Sequence, residues 1–110
     1  MTIPTYPLLT LVATAHNNAG QIRDMVTSFE KHIGTCREIL VVDDGSHPSL
    51  KRESLAATTN VRIVRNEQAL GFCGAAHTGL SLCETPIALL VDADVRFLSG
   101  PFHEAIQTFQ

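Results

Sequence analysis

Two apolar runs in this 110-residue chain end in paired carboxylates, Ile39-Leu40-Val41-Val42-Asp43-Asp44-Gly45-Ser46 and Ala88-Leu89-Leu90-Val91-Asp92-Ala93-Asp94-Val95. Each reads as a buried strand that delivers acids to its tip. In an open α/β sheet, ligands bind beyond the carboxyl ends of parallel strands, so both pairs are expected to face one cleft. Two carboxylates about 5 Å apart repel by roughly 3 kcal/mol at an effective dielectric of about 20. A hard divalent ion, Mg²⁺ or Mn²⁺, relieves that repulsion and leaves coordination sites for the oxygens of a diphosphate. Alternate residues of an extended segment point the same way, so Asp92 and Asp94 are expected to address one ion while Ala93 points elsewhere. Either pair alone is equally well read as a turn Asp after a strand; two pairs at the same fold position argue for function.

The surrounding pattern supplies the elements that would hold these acids. Leu8 to Ala13 is apolar and β-rich, and a polar stretch from Thr14 to Asn18 follows. Ile22, Met25, Val26, Phe29 and Ile33 then recur at helical spacing, with Asn18 as the expected N-cap and Gly34 as the stop. Arg37 to Val42 reads as a second strand, Pro48 to Thr58 as a short polar helix, and Val61 to Val64 as a third strand. Gly71 to Leu82 forms a further helix, Pro86 to Val91 a fourth strand, and Pro101 opens a last helix. This alternation predicts an α/β fold, a doubly wound, mostly parallel sheet of about four strands with flanking helices.

Length bounds the chain to one domain, residues 1–110, with one modest core. Eight Lys and Arg against eleven Asp and Glu give a formal charge of −3, and no basic stripe offers itself to a nucleic acid. The apolar runs fall well short of the about 18 residues that a membrane span requires. Cys36, Cys73 and Cys83 lack the spacing of a zinc site and no leader is recognisable, which favours a reducing, cytoplasmic setting and small buried or half-buried thiols without chemical role.

Four segments, in order, make the chain resemble the nucleotide-binding half of a family 2 glycosyltransferase with the GT-A, Rossmann-like fold. Leu11-Val-Ala-Thr-Ala-His-Asn17 is similar to that family's first strand and its Tyr-Asn turn, and Glu38 to Ser46 carries its Val-Val-Asp-Asp-Gly-Ser almost verbatim. Asn66 to Gly79, with Gly71, Ala75 and Gly79, is similar to its glycine-containing loop and helix, and Asp92-Ala93-Asp94 stands where it has Asp-X-Asp. The resemblance implies transfer of a sugar from a nucleoside-diphosphate sugar, a UDP-sugar first, to an acceptor hydroxyl that the sequence does not identify. It implies donor contacts from Ala13, His16, Asn17, Asp43, Asp44, Gly71, His77, Asp92 and Ala93. Asp44 would chiefly serve the base, while Asp94, aided by Asp92, would hold a divalent metal (Mn²⁺ or Mg²⁺). His16 stands in the Tyr position, and Ala76-His77 replaces the usual Arg-Asn, which removes a cation from the donor side.

In the family the acceptor-binding half and its general base follow the Asp-X-Asp motif by many residues. The expectation is therefore a domain truncated before that half, which binds donor with little or no transfer. A sheet face or edge that the second half would cover is then expected to be exposed and to drive homo-oligomer formation. Two other classes compete. A phosphoacceptor receiver domain would phosphorylate Asp92 and hold Mg²⁺ with Asp43 and Asp44, but its acid pair belongs after the first strand. A noncatalytic nucleotide-binding module would use the same cleft. Dinucleotide oxidoreductases are disfavoured, because Thr14 to Asn18 is no Gly-X-Gly-X-X-Gly turn, and hydrolase chemistry lacks a candidate, because neither Ser46 nor Ser81 sits in Gly-X-Ser-X-Gly.

Overall fold

The computed structural model describes residues 4–99 and 102–108. Four strands, β1 (Thr5–Ala15), β2 (Thr35–Asp44), β3 (Val61–Asn66) and β4 (Ile87–Val91), form one sheet in the order β3-β2-β1-β4. Every pairing is parallel. Helices α1 (Ala19–His32) and α2 (Gly71–Ser81) make the crossovers from β1 to β2 and from β3 to β4, and α3 (Phe102–Thr108) follows β4; together they cover the faces. The expected doubly wound parallel α/β sandwich is the observed one.

Strand alternation sorts the core into two layers. Leu9, Leu11 and Ala13 of β1 and Ile39 and Val41 of β2 join Ile22, Met25, Val26 and Phe29 of α1 in one buried cluster. α3 lies on the same side, its Phe102 ring meeting Tyr6 at 5.3 Å and Phe29 at 6.1 Å, both edge-on. On the opposite face α2 packs directly onto the sheet at Gly79. A Cβ there would stand 2.6 Å from Val12 Cγ1 and 3.0 Å from Val42 Cγ2, so only glycine lets the helix seat so closely.

Several boundaries differ from the sequence reading, each for a tertiary reason. β1 starts at Thr5 rather than Leu8, with an irregular register between Tyr6 and Thr10 around Pro7, which has no N–H for the ladder. The helix expected over 48–58 is a single 3₁₀ turn, Arg52–Leu55, closed by left-handed Ala56. Its flanks are held from outside. Asp43 accepts the Leu50 N–H, and Glu30 of α1 accepts those of Thr58 and Thr59. Asn18 occupies the N-cap position of α1 without capping it, because its Oδ1 accepts the His16 N–H instead. Gly34 follows the last turn and donates to the Phe29 carbonyl, as a stop residue should. Pro101 lies outside the described residues. Cys36 is buried, Cys83 half-buried and Cys73 exposed, all as free thiols, so Cys73 departs from the expected burial. No helix among the described residues is long and apolar enough to cross a membrane.

Candidate functional site

β1, β2 and β4 end along one edge of the sheet, where their tips and the start of α2 enclose a cleft of about 530 Å³. Thr14 and Ala15 line it from β1, His16 and Asn18 from the loop after it, Gln21 from α1, Asp44 from β2, and Gly71, Phe72 and Ala75 from α2. Asp92, Ala93 and Asp94 complete the wall.

The two acids of β2 part company. Consecutive strand residues face opposite sides, so Asp43 points to the α1 layer and Asp44 to the α2 layer. The expectation that both pairs face one cleft is corrected accordingly: Asp43 is absent from the cleft wall. The parallel register sets Asp43 beside Arg65 and Asp44 beside Asn66. Asp43, 1% exposed, accepts the Ser46 N–H at 3.0 Å, the Leu50 N–H at 2.9 Å and the Arg65 guanidinium at 2.8 Å. It fastens the loop after β2. Burial alone would raise its pKa, but these hydrogen bonds outweigh burial and hold it below the usual carboxylate range.

Asp44, 4% exposed, reaches the other way and caps α2. Its Oδ1 accepts the Leu70 N–H at 2.9 Å and the Asn66 amide at 3.1 Å, and its Oδ2 accepts the Gly71 N–H at 3.0 Å. Leu70 at the N-cap position has no side chain able to cap, so a carboxylate from a neighbouring strand supplies the acceptor and the negative charge that a helix start favours. Here too burial pushes the pKa up, while the Leu70, Asn66 and Gly71 bonds and nearby His16 bring it below the ordinary value. The repulsion within this acid pair is relieved by protein donors and Arg65.

Gly45 makes the turn after Asp44 at φ +73°, where an added Cβ would come within 2.9 Å of the Ala69 backbone nitrogen. This close approach brings the loop before α2 against the tip of β2. His16 lies across the same tip. Its Nδ1 is 2.6 Å from the Asp44 carbonyl, which can only accept, so Nδ1 carries the proton and Nε2 is left as the acceptor, 3.4 Å from the Asn17 amide. Asn17, at φ +55°, accepts the His47 N–H on Oδ1 and donates its own N–H to Ser46 Oγ. It faces an adjacent hollow, shared with Ser46, His47 and Pro48, rather than the main cleft.

Asp92 and Asp94 are exposed and Ala93 is buried. They do not lie in an extended segment as expected. The strand ends at Val91, and the Val95 N–H donates to the Asp92 carbonyl at 3.1 Å, closing a turn that still presents both carboxylates to the cleft. Of the residues singled out from sequence, His16, Asp44, Gly71, Asp92, Ala93 and Asp94 therefore come together. Ala13 is buried within β1 between Val41 and Val91, and His77 is exposed on α2, outside the cleft wall. Sequence reasoning did not find Thr14, Gln21 or Phe72, which is 50% exposed at the cleft. An aromatic directly after Gly71, at the start of the expected helix, was the available signal for Phe72.

No three His, Cys, Asp or Glu side chains converge on a metal position among the described residues. Two free carboxylates on one turn nevertheless fit Mg²⁺ or Mn²⁺ at a phosphate site, since these ions take one or two carboxylates and complete their shell with phosphate oxygens and water. The donor set fits an ion that arrives with a diphosphate.

A parallel, doubly covered sheet with its cleft at the carboxyl ends of the strands defines an open, Rossmann-like α/β domain. The chain belongs to glycosyl transferase family 2, whose sequence profile matches residues 10–110. It is 30% identical over 93 residues to the pre-mycofactocin glycosyltransferases of Mycobacterium tuberculosis strains CDC 1551 and H37Rv. The match covers 84% of this chain and 19% of each relative, so it spans about a fifth of their length. The receiver alternative is not favoured: the acid pair ends the second strand, and Asp43 faces away from Asp44 and Asp92.

Proposed function

We propose that this chain is the donor-binding part of a glycosyltransferase, holding a nucleoside-diphosphate sugar, a UDP-sugar first, in the cleft beyond β1, β2 and β4. The observation that carries the reading is the division of labour among the cleft acids: Asp44 is fixed by three hydrogen bonds, whereas Asp92 and Asp94 are exposed on the facing turn. A carboxylate offers about four lone-pair positions, and Asp44 uses three, which leaves one on Oδ2 for the imide N–H of a uracil ring. His16, its ring oriented by the Asp44 carbonyl, flanks the base, and Phe72 offers an apolar face on the α2 side. Asp94 and Asp92 hold the divalent ion at the diphosphate. When bound, that ion neutralises charge developing on the departing diphosphate.

Base catalysis requires a group within hydrogen-bond reach of the acceptor hydroxyl. The acids of this cleft, Asp44, Asp92 and Asp94, all have donor-side tasks in this reading, so the chain binds donor and transfers little or no sugar by itself. Residues 1–110 act as one domain, and the acceptor is recognised elsewhere. A cytoplasmic setting accords with three unpaired thiols. Half-buried Ile87, Leu89 and Leu90 on β4, at the end of the sheet, favour association of copies at high concentration.

Calorimetric titration of UDP, GDP and AMP, each with and without Mn²⁺, tests the reading. Base-selective binding strengthened by Mn²⁺, and losing that strengthening in Asp94→Ala, supports it. Equal affinity for all three nucleotides, independent of the metal, overturns it.

A further inference from the structure

The segment after the acidic turn is pinned to α1. One terminal nitrogen of Arg96 donates to the Ala93 carbonyl at 2.9 Å and to the Val95 carbonyl at 2.7 Å. The other lies 3.8 Å from Asp24 of α1. One residue on, the Phe97 N–H donates to Ser28 Oγ at 2.9 Å, and the Phe97 ring meets Phe29 edge-on at 5.2 Å. Ser28 in turn donates to the Met25 carbonyl, which fixes its hydroxyl.

The turn has little of its own to hold it. Its closing bond is the one from Val95 to Asp92, and it carries two exposed like charges separated by a single residue. The Arg96 guanidinium grips the carbonyl of the residue between those charges. We propose that Arg96 is a positioning residue: its guanidinium, hydrogen-bonded to the Ala93 and Val95 carbonyls and 3.8 Å from Asp24 of α1, sets the Asp92-Ala93-Asp94 turn so that both carboxylates face the cleft. The proposal rests on the reading that these two acids carry the divalent ion. It assigns their placement to α1 and Arg96 as well as to the strand that precedes them.

Groups that orient metal ligands typically matter by about 10–100-fold in metal affinity. In the chain saturated with UDP, Arg96→Ala should therefore weaken Mn²⁺ binding by at least about tenfold, read from the electron paramagnetic resonance of free Mn²⁺. UDP binding without metal, which uses Asp44 and His16, should stay unchanged. Arg96→Lys keeps the charge but offers one nitrogen where the guanidinium uses two, and should fall between wild type and Arg96→Ala. Mn²⁺ affinity within twofold of wild type in Arg96→Ala, or an equal loss of metal-free UDP binding, overturns the proposal. Amide exchange at Val95 gives a readout that needs no ligand. Arg96→Ala should speed it, and unchanged exchange refutes the positioning role even if the wild-type chain binds no nucleotide.

Discussion

Replacing Asp44 by Asn tests whether one carboxylate joins the tip of β2 to the start of α2. The amide is nearly isosteric, so packing is preserved and only hydrogen bonding and charge change. With its oxygen in the Oδ1 position, the amide keeps the Leu70 N–H and Asn66 bonds and turns its NH₂ toward the Gly71 N–H. One charge-assisted bond is lost, at about 1.5–3 kcal/mol, and two others fall to neutral strength, at roughly 0.5–1 kcal/mol each. The expected loss is about 3–4 kcal/mol, a large share of the roughly 5–15 kcal/mol typical of a domain. It corresponds to a drop in Tm on the order of 15–20 °C for a chain of this size. Urea unfolding followed by circular dichroism, with amide exchange at Leu70 and Gly71, measures it. A loss below about 0.5 kcal/mol, against the roughly 1.5–3 kcal/mol of a single charged hydrogen bond, would refute the capping argument.

Gly79→Ala should destabilise by about 1–3 kcal/mol in urea unfolding despite the better helix propensity of Ala, because its Cβ meets Val12 and Val42; pairing it with Val12→Ala should recover part of the loss. Asp43 and Asp44 both titrate below their unfolded values, so their stabilisation is complete above about pH 5 and is lost as pH falls below about 4, through the folded values. Acid titration of the unfolding free energy should show that fall, and Asp44→Asn should flatten it. Under native conditions iodoacetamide should alkylate exposed Cys73 first and buried Cys36 last, since burial pushes the Cys36 thiol up to about 11; mass spectrometry of timed samples gives the order.

The fold was legible because local signals agree with it. The Leu and Val runs of β1, β2 and β4, the helical spacing from Ile22 to Ile33 and the Gly34 stop all state their elements without tertiary help. The segment from Pro48 to Thr58 was misread because its polar pattern suits a helix, while its backbone donors are claimed by Asp43 and Glu30, residues distant in sequence. In the site, strand alternation separates Asp43 from Asp44, but the sequence reading applied it only to Asp92 and Asp94 and set both acid pairs in one cleft. The partners Arg65 and Asn66 needed the β2–β3 register. Extended spacing could not be carried past Val91, where the strand ends, so the right acids were named with the wrong local geometry. Arg96 gave no sequence signal, because its role depends on a turn and a helix that meet only in three dimensions.

In the proposed binding mode the free acids after β4 and the fixed acid of β2 serve one ligand. Nuclear magnetic resonance of the chain with UDP and substoichiometric Mn²⁺ tests it most directly, since paramagnetic broadening falls steeply with distance from the ion. Broadening should centre on Asp92 to Val95 and spread to His16 and Gly71, with no such centre in Asp94→Ala. Broadening centred on the hollow at Ser46 to Lys51, or unchanged in Asp94→Ala, would contradict it.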